Sequence, residues 1–250
     1  MSKKVIFHVP HSSVDIPGKY RDQFIVDDRR LAEIAEESSD FLTKELYTCS
    51  DFDVDYLVAP ISRIVCDVER FVDDRMEPMS SHGLGVVYRK SFDGVVIRRE
   101  LTETEKQSII KDVYNPHHAR LESMVRKAID GFGSCLIVDC HSYAASPHRY
   151  ESLLLERPQI CIGTCIYHTP KKLAEELLSL AHDHGYSACL NQPFSGSIVP
   201  KIYHLSDARV RSVMLEARKD IYISDGFMND IGLKKFQNFL MKVVAMASSY

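Results

Sequence analysis

Short apolar runs alternate along this chain with longer stretches whose apolar positions recur every three or four residues. "KVIFHV" (4–9) reads as a short buried strand. The stretch 27–49 follows with helical spacing of Leu31, Ile34, Ala35, Phe41, Leu42 and Leu46, and Asp27 or Asp28 stands where an N-cap is needed. "DYLVAP" (55–60) and "SRIVCDV" (62–68) read as strands separated by Pro60, and the polar, turn-rich segment 70–94 as a long loop of the kind that often carries function. In 102–130, Thr102 and Glu105 match a capping box, and Pro116 should divide or kink the helix. "CLIVDC" (135–140) and "QICIGTCIY" (159–167) are buried strands. A helix over 169–185 has Pro170 in its first turn and Gly185 as its cap. "SACLN" (187–191), "IVPKIYHL" (198–205) and "VRSVMLEA" (210–217) supply further strands, and 229–247 a closing helix. Strands alternating with helices predict one α/β domain over 1–250, with a mixed, largely parallel sheet and helices on both faces.

In such a sheet, ligand sites form where loops leave the carboxyl ends of strands. Two histidines stand at such ends: His11 after "VIFHVP" and His141 in "CLIVDCHSY". A lone histidine in either place is ordinarily a hydrogen-bonded structural residue; the repetition is what draws attention. Asp139 lies two residues before His141, hence on the same strand face, where a carboxylate can fix the tautomer of a metal-binding imidazole. Asp15, four residues after His11, offers an oxygen ligand. Two histidines, one carboxylate and an open position make up a hydrolytic zinc site, with one ion per chain. In 62–71, Asp67 and Glu69 share a strand face between Arg63 and Arg70. This reads either as an ion-pair ladder of little energetic weight or as an arginine held in place to bind a carboxylate.

Composition narrows the classes. With 45% hydrophobic residues in 250, the chain can bury a sizeable core, and a net charge of −4 gives no broad basic surface for nucleic acid. The seven cysteines, mostly inside apolar runs and without metal-ligand spacing, predict reduced thiols in a cytoplasmic protein. The first apolar run is too short for a signal peptide, and none approaches a membrane span. "HDHG" (182–185) puts its histidines on different helix faces, "GFGSCL" precedes a strand instead of following one, and "FSGSI" lacks the nucleophile-elbow frame.

Six stretches, "VPHSSVDIP", "SRIVCDVERFVDD", "YNPHHARL", "IVDCHSY", "NQPFSG" and "SVMLEARKDIY", resemble in order the motifs of the N-formylglutamate amidohydrolase family, from about Val5 to Asp225. That family is distantly similar to zinc carboxypeptidases and to the aspartoacylase and succinylglutamate desuccinylase group. The resemblance implies a phosphorylase/hydrolase-like fold and zinc-dependent cleavage of a small N-acyl amino acid, N-formyl-L-glutamate above all, yielding formate and glutamate at the end of histidine breakdown. It implies His11 and His141 as metal ligands with Asp139 in support, Arg70 aided by Arg63 on the substrate carboxylate, and Glu216 as general base. His118 becomes a further substrate-site candidate. The chain departs from the pattern at Val14, where the relatives carry an acidic ligand; Asp15 is one place later and Asp67 is its rival. It departs again at Glu69-Arg70, where the relatives have Asn-Arg. Hydrolysis of another acylated amino acid or a peptide-like amide, and non-catalytic binding of carboxylated ligands, are the competing functions. The segments "GVVYRKS" and "NQPFSGSI" are expected in the pocket wall.

Overall fold

The computed structural model describes residues 4–48, 52–247 and 249–250. In chain order its elements are β1 (Lys4–Val9), α1 (Asp28–Ser38), α2 (Thr43–Tyr47), β2 (Asp55–Val58), α3 (Glu103–Ile109) and α4 (Asn115–Phe132). There follow β3 (Cys135–Tyr143), β4 (Ile160–Thr164), α5 (Lys171–Asp183), β5 (Ala188–Leu190), β6 (Val210–Arg218), the small hairpin β7 (Ile223–Ser224) and β8 (Phe227–Met228), and α6 (Asp230–Ala247). The six-stranded sheet has the order β2-β1-β3-β6-β4-β5. β2, β1, β3 and β6 run parallel, β4 is antiparallel to β6, and β5 is parallel to β4, so the mixed, largely parallel α/β sheet is as the pattern predicts.

The two sheet faces bury different partners. Val5, Phe7, Leu136, Val138, Val213 and Leu215 pack with Leu173, Leu177, Phe236 and Phe239 of α5 and α6. Ile6, Ile137 and Val210 pack under Leu121 and Val125 of α4. A separate cluster joins Leu31 and Ile34 of α1 to Ile64, Val65, Leu84, Tyr88, Ile97 and Ile109; it folds the long 61–100 segment against α1 and α3. No helix among the described residues is long and apolar enough to cross a membrane.

The helix ends follow local chemistry. Asp27 caps α1 by accepting from Arg30 N–H at 2.8 Å, and Thr102 and Glu105 form the reciprocal capping box of α3. One wider π turn, Ile110–Tyr114, separates α3 from α4 just ahead of Pro116, which occupies the first turn of α4 where no N–H is required. Three expectations fail. The helix predicted over 27–49 breaks at Ser39–Leu42, where Leu42 takes φ +61°; its last residue, Cys49, lies outside the described residues. "SRIVCDV" is a run of turns instead of a strand, because its apolar residues sink into that separate cluster and, among the described residues, no strand pairs with it. "IVPKIYHL" is irregular, its last residues forming turns held by Tyr203 and His204 N–H on Pro200 O.

Candidate active site

Parallel pairing brings the carboxyl ends of β1, β3 and β6 to one edge. Strand alternation then lines up the polar residues: His8 stands beside Asp139, and His141 directly beside Glu216. The sheet positions that hold Ile6 and Ile137 under α4 thus become polar as the strands leave the core. His11 follows two residues beyond β1, and all five of these side chains are buried.

Both histidines are clamped. His11 Nε2 lies 2.9 Å from Asp67 Oδ1, and His141 Nδ1 lies 3.0 Å from Asp40 Oδ2. The other nitrogen of each, His11 Nδ1 and His141 Nε2, is buried without a well-formed hydrogen bond, although His141 Nε2 lies 3.1 Å from Asp139 Oδ1. Glu69 reaches in from the turn after Asp67, placing Oε2 3.2 Å from His141 Nε2 and 3.7 Å from His11 Nε2. His11, Glu69 and His141 each offer a ligand atom, all within 4.8 Å of one another. His8, Glu69 and Asp139 form a second such group. There, however, both nitrogens of His8 are engaged, Nδ1 with Asp139 at 2.8 Å and Nε2 with His117 Nε2 at 2.8 Å. The first group alone retains imidazole nitrogens without a well-formed hydrogen bond, which is what a metal centre with carboxylate-supported histidines requires.

The supporting carboxylates are themselves over-determined. Asp67 accepts from Arg63 Nε and Nη2 at 2.9 and 2.7 Å, from Tyr88 O–H at 2.8 Å and from the Glu69 N–H at 3.0 Å. Burial works against its charge, but Arg63 and His11 outweigh that and hold its carboxyl well below the usual range. Asp40 behaves likewise: burial is overcome by the nearby His11 and His141. Burial also disfavours a charged His141, yet Glu69, Asp139 and Asp40 surround it and raise its pKa well above the ordinary value. Glu216 goes the other way. Burial pushes its carboxyl up to about 8; His141 pulls it back, and Asp40, Glu69 and Asp139 push it further. Its Oε2 has no hydrogen-bond partner.

These groups open onto a cavity of about 480 Å³, whose wall includes Arg63, Arg70, Met79, Phe92, Phe194 and Lys219. The 191–198 segment contributes to it as expected, but "GVVYRKS" (85–91) does not: its neighbours Met79 and Phe92 line the wall, while Tyr88 turns away to hold Asp67. Arg70 keeps an unpartnered Nε and contacts Glu77 at 3.4 Å through Nη1.

Of the residues singled out from sequence, His11, His141, Asp139, Asp67, Arg63, Arg70 and Glu216 are brought together. Asp15 is not. Past Pro10 the chain turns along the surface, Ser62 N–H binds Asp15 O, and the Asp15 side chain is exposed and outside both ligand groups. The carboxylate nearest both histidines is Glu69, whose segment reads in sequence either as an ion-pair ladder or as the setting of a carboxylate-binding arginine. His118 binds Val68 O through Nε2 at 2.7 Å and packs at a tilt on Tyr114; it braces the turn that carries Glu69 and does not line the cavity. Asp40 was concealed inside an uninterrupted helical pattern. Its only sequence signal is the "SSD" triplet, which favours a helix break.

The sequence matches the family profile described as N-formylglutamate amidohydrolase over residues 3–223. It is 24% identical over 229 residues to the N-formylglutamate deformylase of Pseudomonas putida, covering 88% of this chain and 82% of that one. It is 28% identical over 176 residues to the N-formylglutamate deformylase of Pseudomonas aeruginosa, 68% of this chain and 64% of that one. In fold it is similar to the crystal structure of N-formylglutamate amidohydrolase from Ralstonia eutropha JMP134, with TM-score 0.81, 20% identity, and 100% and 94% of the two chains covered. It is also similar to the gene product Atu2144 of Agrobacterium tumefaciens, with TM-score 0.67, 19% identity, and 99% and 91% covered. The chain belongs to the N-formylglutamate amidohydrolase family and is a hydrolase acting on an amide bond.

Proposed function

We propose that this protein hydrolyses N-formyl-L-glutamate to formate and L-glutamate, with one zinc ion held by His11, Glu69 and His141. The observation that carries the reading is the pair of buried histidines, each clamped through one nitrogen by a buried carboxylate and without a well-formed hydrogen bond at the other, with Glu69 between them. Two imidazoles and a carboxylate are a donor set that suits zinc and leaves a position open. When bound there, zinc polarises the formyl carbonyl and makes water a nucleophile near neutral pH.

The chain's own residues do the rest. Glu216, beside His141 in the sheet register, takes a proton from the attacking water as the water oxygen bonds to the formyl carbon. It passes that proton to the amide nitrogen as the carbon–nitrogen bond breaks, so glutamate leaves as a neutral amine. The lone carboxylate of Glu216 is raised by burial, and a cation at the histidines brings it down into the range where it works as a base. Arg70, on the cavity wall, supplies its guanidinium to a substrate carboxylate, and Arg63, fixed by Asp67, adds positive potential behind it. Binding energy from those carboxylates positions a formyl group that offers little surface of its own.

The test is elemental analysis of wild type and His141→Ala purified without chelator, together with formate release from N-formyl-L-glutamate. About one zinc per wild-type chain, lost in the variant, with formate released by wild type alone, is the expected result. A wild type that holds no zinc after add-back and dialysis would overturn the metal centre, and absence of formate release from a zinc-loaded protein would overturn the substrate.

A further inference from the structure

Among the described residues, three arginine and lysine side chains face the cavity: Arg63, Arg70 and Lys219. Arg63 is consumed by Asp67 through Nε and Nη2. Arg70 lies 3.4 Å from Glu77 and 3.7 Å from Asp67. Lys219 differs from both. Its Nζ makes one hydrogen bond, to Ser39 O at 2.7 Å, and no other hydrogen bond or ion pair of this ammonium is found among the described residues. An ammonium has three donors, so two remain for a ligand. Lys219 begins the turn after β6, three residues past Glu216, so the strand that delivers the catalytic carboxyl also delivers this cation. Ser39 belongs to the helix break that carries Asp40, and the bond to its carbonyl ties the lysine to the cavity wall.

We infer that Lys219 receives one of the two carboxylates of a dianionic N-acyl amino acid, with Arg70 taking the other, and so makes the site selective for acidic substrates. The inference rests on the cavity being an acyl amino acid site, as proposed above. One cation suffices for a monoanionic acyl amino acid; two free donor sets on separate chain segments match a dicarboxylate.

The test compares wild type, Lys219→Met and Lys219→Arg, all zinc-loaded, on N-formyl-L-glutamate, N-formyl-L-glutamine and the α-amide of N-formyl-L-glutamate. Thermal melting checks that each variant is folded. In Lys219→Met, kcat/KM on the dianion is expected to fall on the order of 10- to 100-fold, chiefly through KM, with little change on the amide that lacks the carboxylate Lys219 holds. Lys219→Arg should recover part of the loss. An equal loss on all three substrates would overturn the inference, since it is the result expected if the lysine only balances the charge of Asp40 and Glu216. An unchanged dianion rate would overturn it as well. Calorimetric binding of glutarate separates this from the reaction itself. A protein that releases no formate yet binds glutarate in a Lys219-dependent way would refute the deformylase reading and uphold the receptor; glutarate affinity equal in wild type and Lys219→Met would refute the receptor.

Discussion

Asp40→Asn removes one charge and almost no volume from the centre of the site. Asp40 Oδ2 faces His141 Nδ1 at 3.0 Å and the Ser142 N–H at 3.3 Å, and it lies 3.7 Å from His11 Nδ1. It is buried, and although burial opposes its ionisation, His11 and His141 keep its carboxyl well below the usual range, so the folded protein holds it as an anion. Asparagine can still accept from one partner, but its amide offers no negative charge to the imidazole and so makes His141 a poorer donor to the metal. Loss of such a supporting carboxylate lowers metal affinity about 10- to 100-fold, or about 1.4–2.7 kcal/mol. The assay is competition for zinc against a fluorescent chelator at pH 7, with circular dichroism and melting to show that the fold is kept. Asp67→Asn, which leaves Arg63 without its acceptor, should weaken zinc too but should also lower the melting temperature of the metal-free protein. Zinc affinity unchanged in a folded Asp40→Asn would refute the claim that this carboxylate tunes the histidine.

Three further outcomes follow from the geometry. Glu216→Gln should keep one zinc per chain and lose about 10²- to 10⁴-fold in kcat, measured by formate release; zinc loss in this variant would count against the base assignment. Arg70→Ala should raise KM for N-formyl-L-glutamate far more than it lowers kcat, as read from initial rates, whereas a selective kcat loss would place Arg70 at the reacting atoms instead. His117 gives a pH-dependent test of the buried histidine row. Burial, with His8, His118 and His11 close by and only Asp139 opposing, pushes it down to about 2. A depressed histidine contributes stability that is complete above the unfolded value and is lost as pH falls below it. Between pH 7 and 5 an unfolded His117 with pKa about 6.5 takes up a proton the folded one refuses, so wild type should lose about 2 kcal/mol more than His117→Gln. Urea denaturation of both metal-free proteins at the two pH values measures this, and parallel losses would refute it.

The sheet was legible because its signals are local. Val5–Val9, Cys135–Cys140 and Val210–Leu215 are largely apolar stretches too short for helices, as strands buried on both faces are. "SRIVCDV" has the same composition and is not a strand. Ile64, Val65 and Cys66 are equally buried, but they are buried by a side cluster that includes residues as distant as Leu31 and Ile109. Periodicity records that a residue is apolar, and it carries no record of which partner covers it.

The site divides along the same line. His11 and His141 could be read because each sits at or just past the end of a visible strand, and parallel strands end together; Glu216, on the neighbouring strand, is reached only through the family resemblance. Asp40 and Glu69 could not, because each owes its place to a departure from regular structure. Asp40 sits in the four-residue break between α1 and α2, and its N–H donates to His11 O at 2.9 Å, so the loop after β1 and the helix break fix each other. Glu69 sits in a turn closed by Asp67 accepting from its N–H, and it is aimed at the histidines by that bond. Had 62–68 been a strand, Asp67 and Glu69 would have pointed to one face in series. The turn instead lets Asp67 hold His11 while Glu69 reaches past it to His141. The "DVER" stretch thus supplies both the carboxylate that orients one histidine and the carboxylate that joins the pair, and only a non-strand conformation lets four consecutive residues do both.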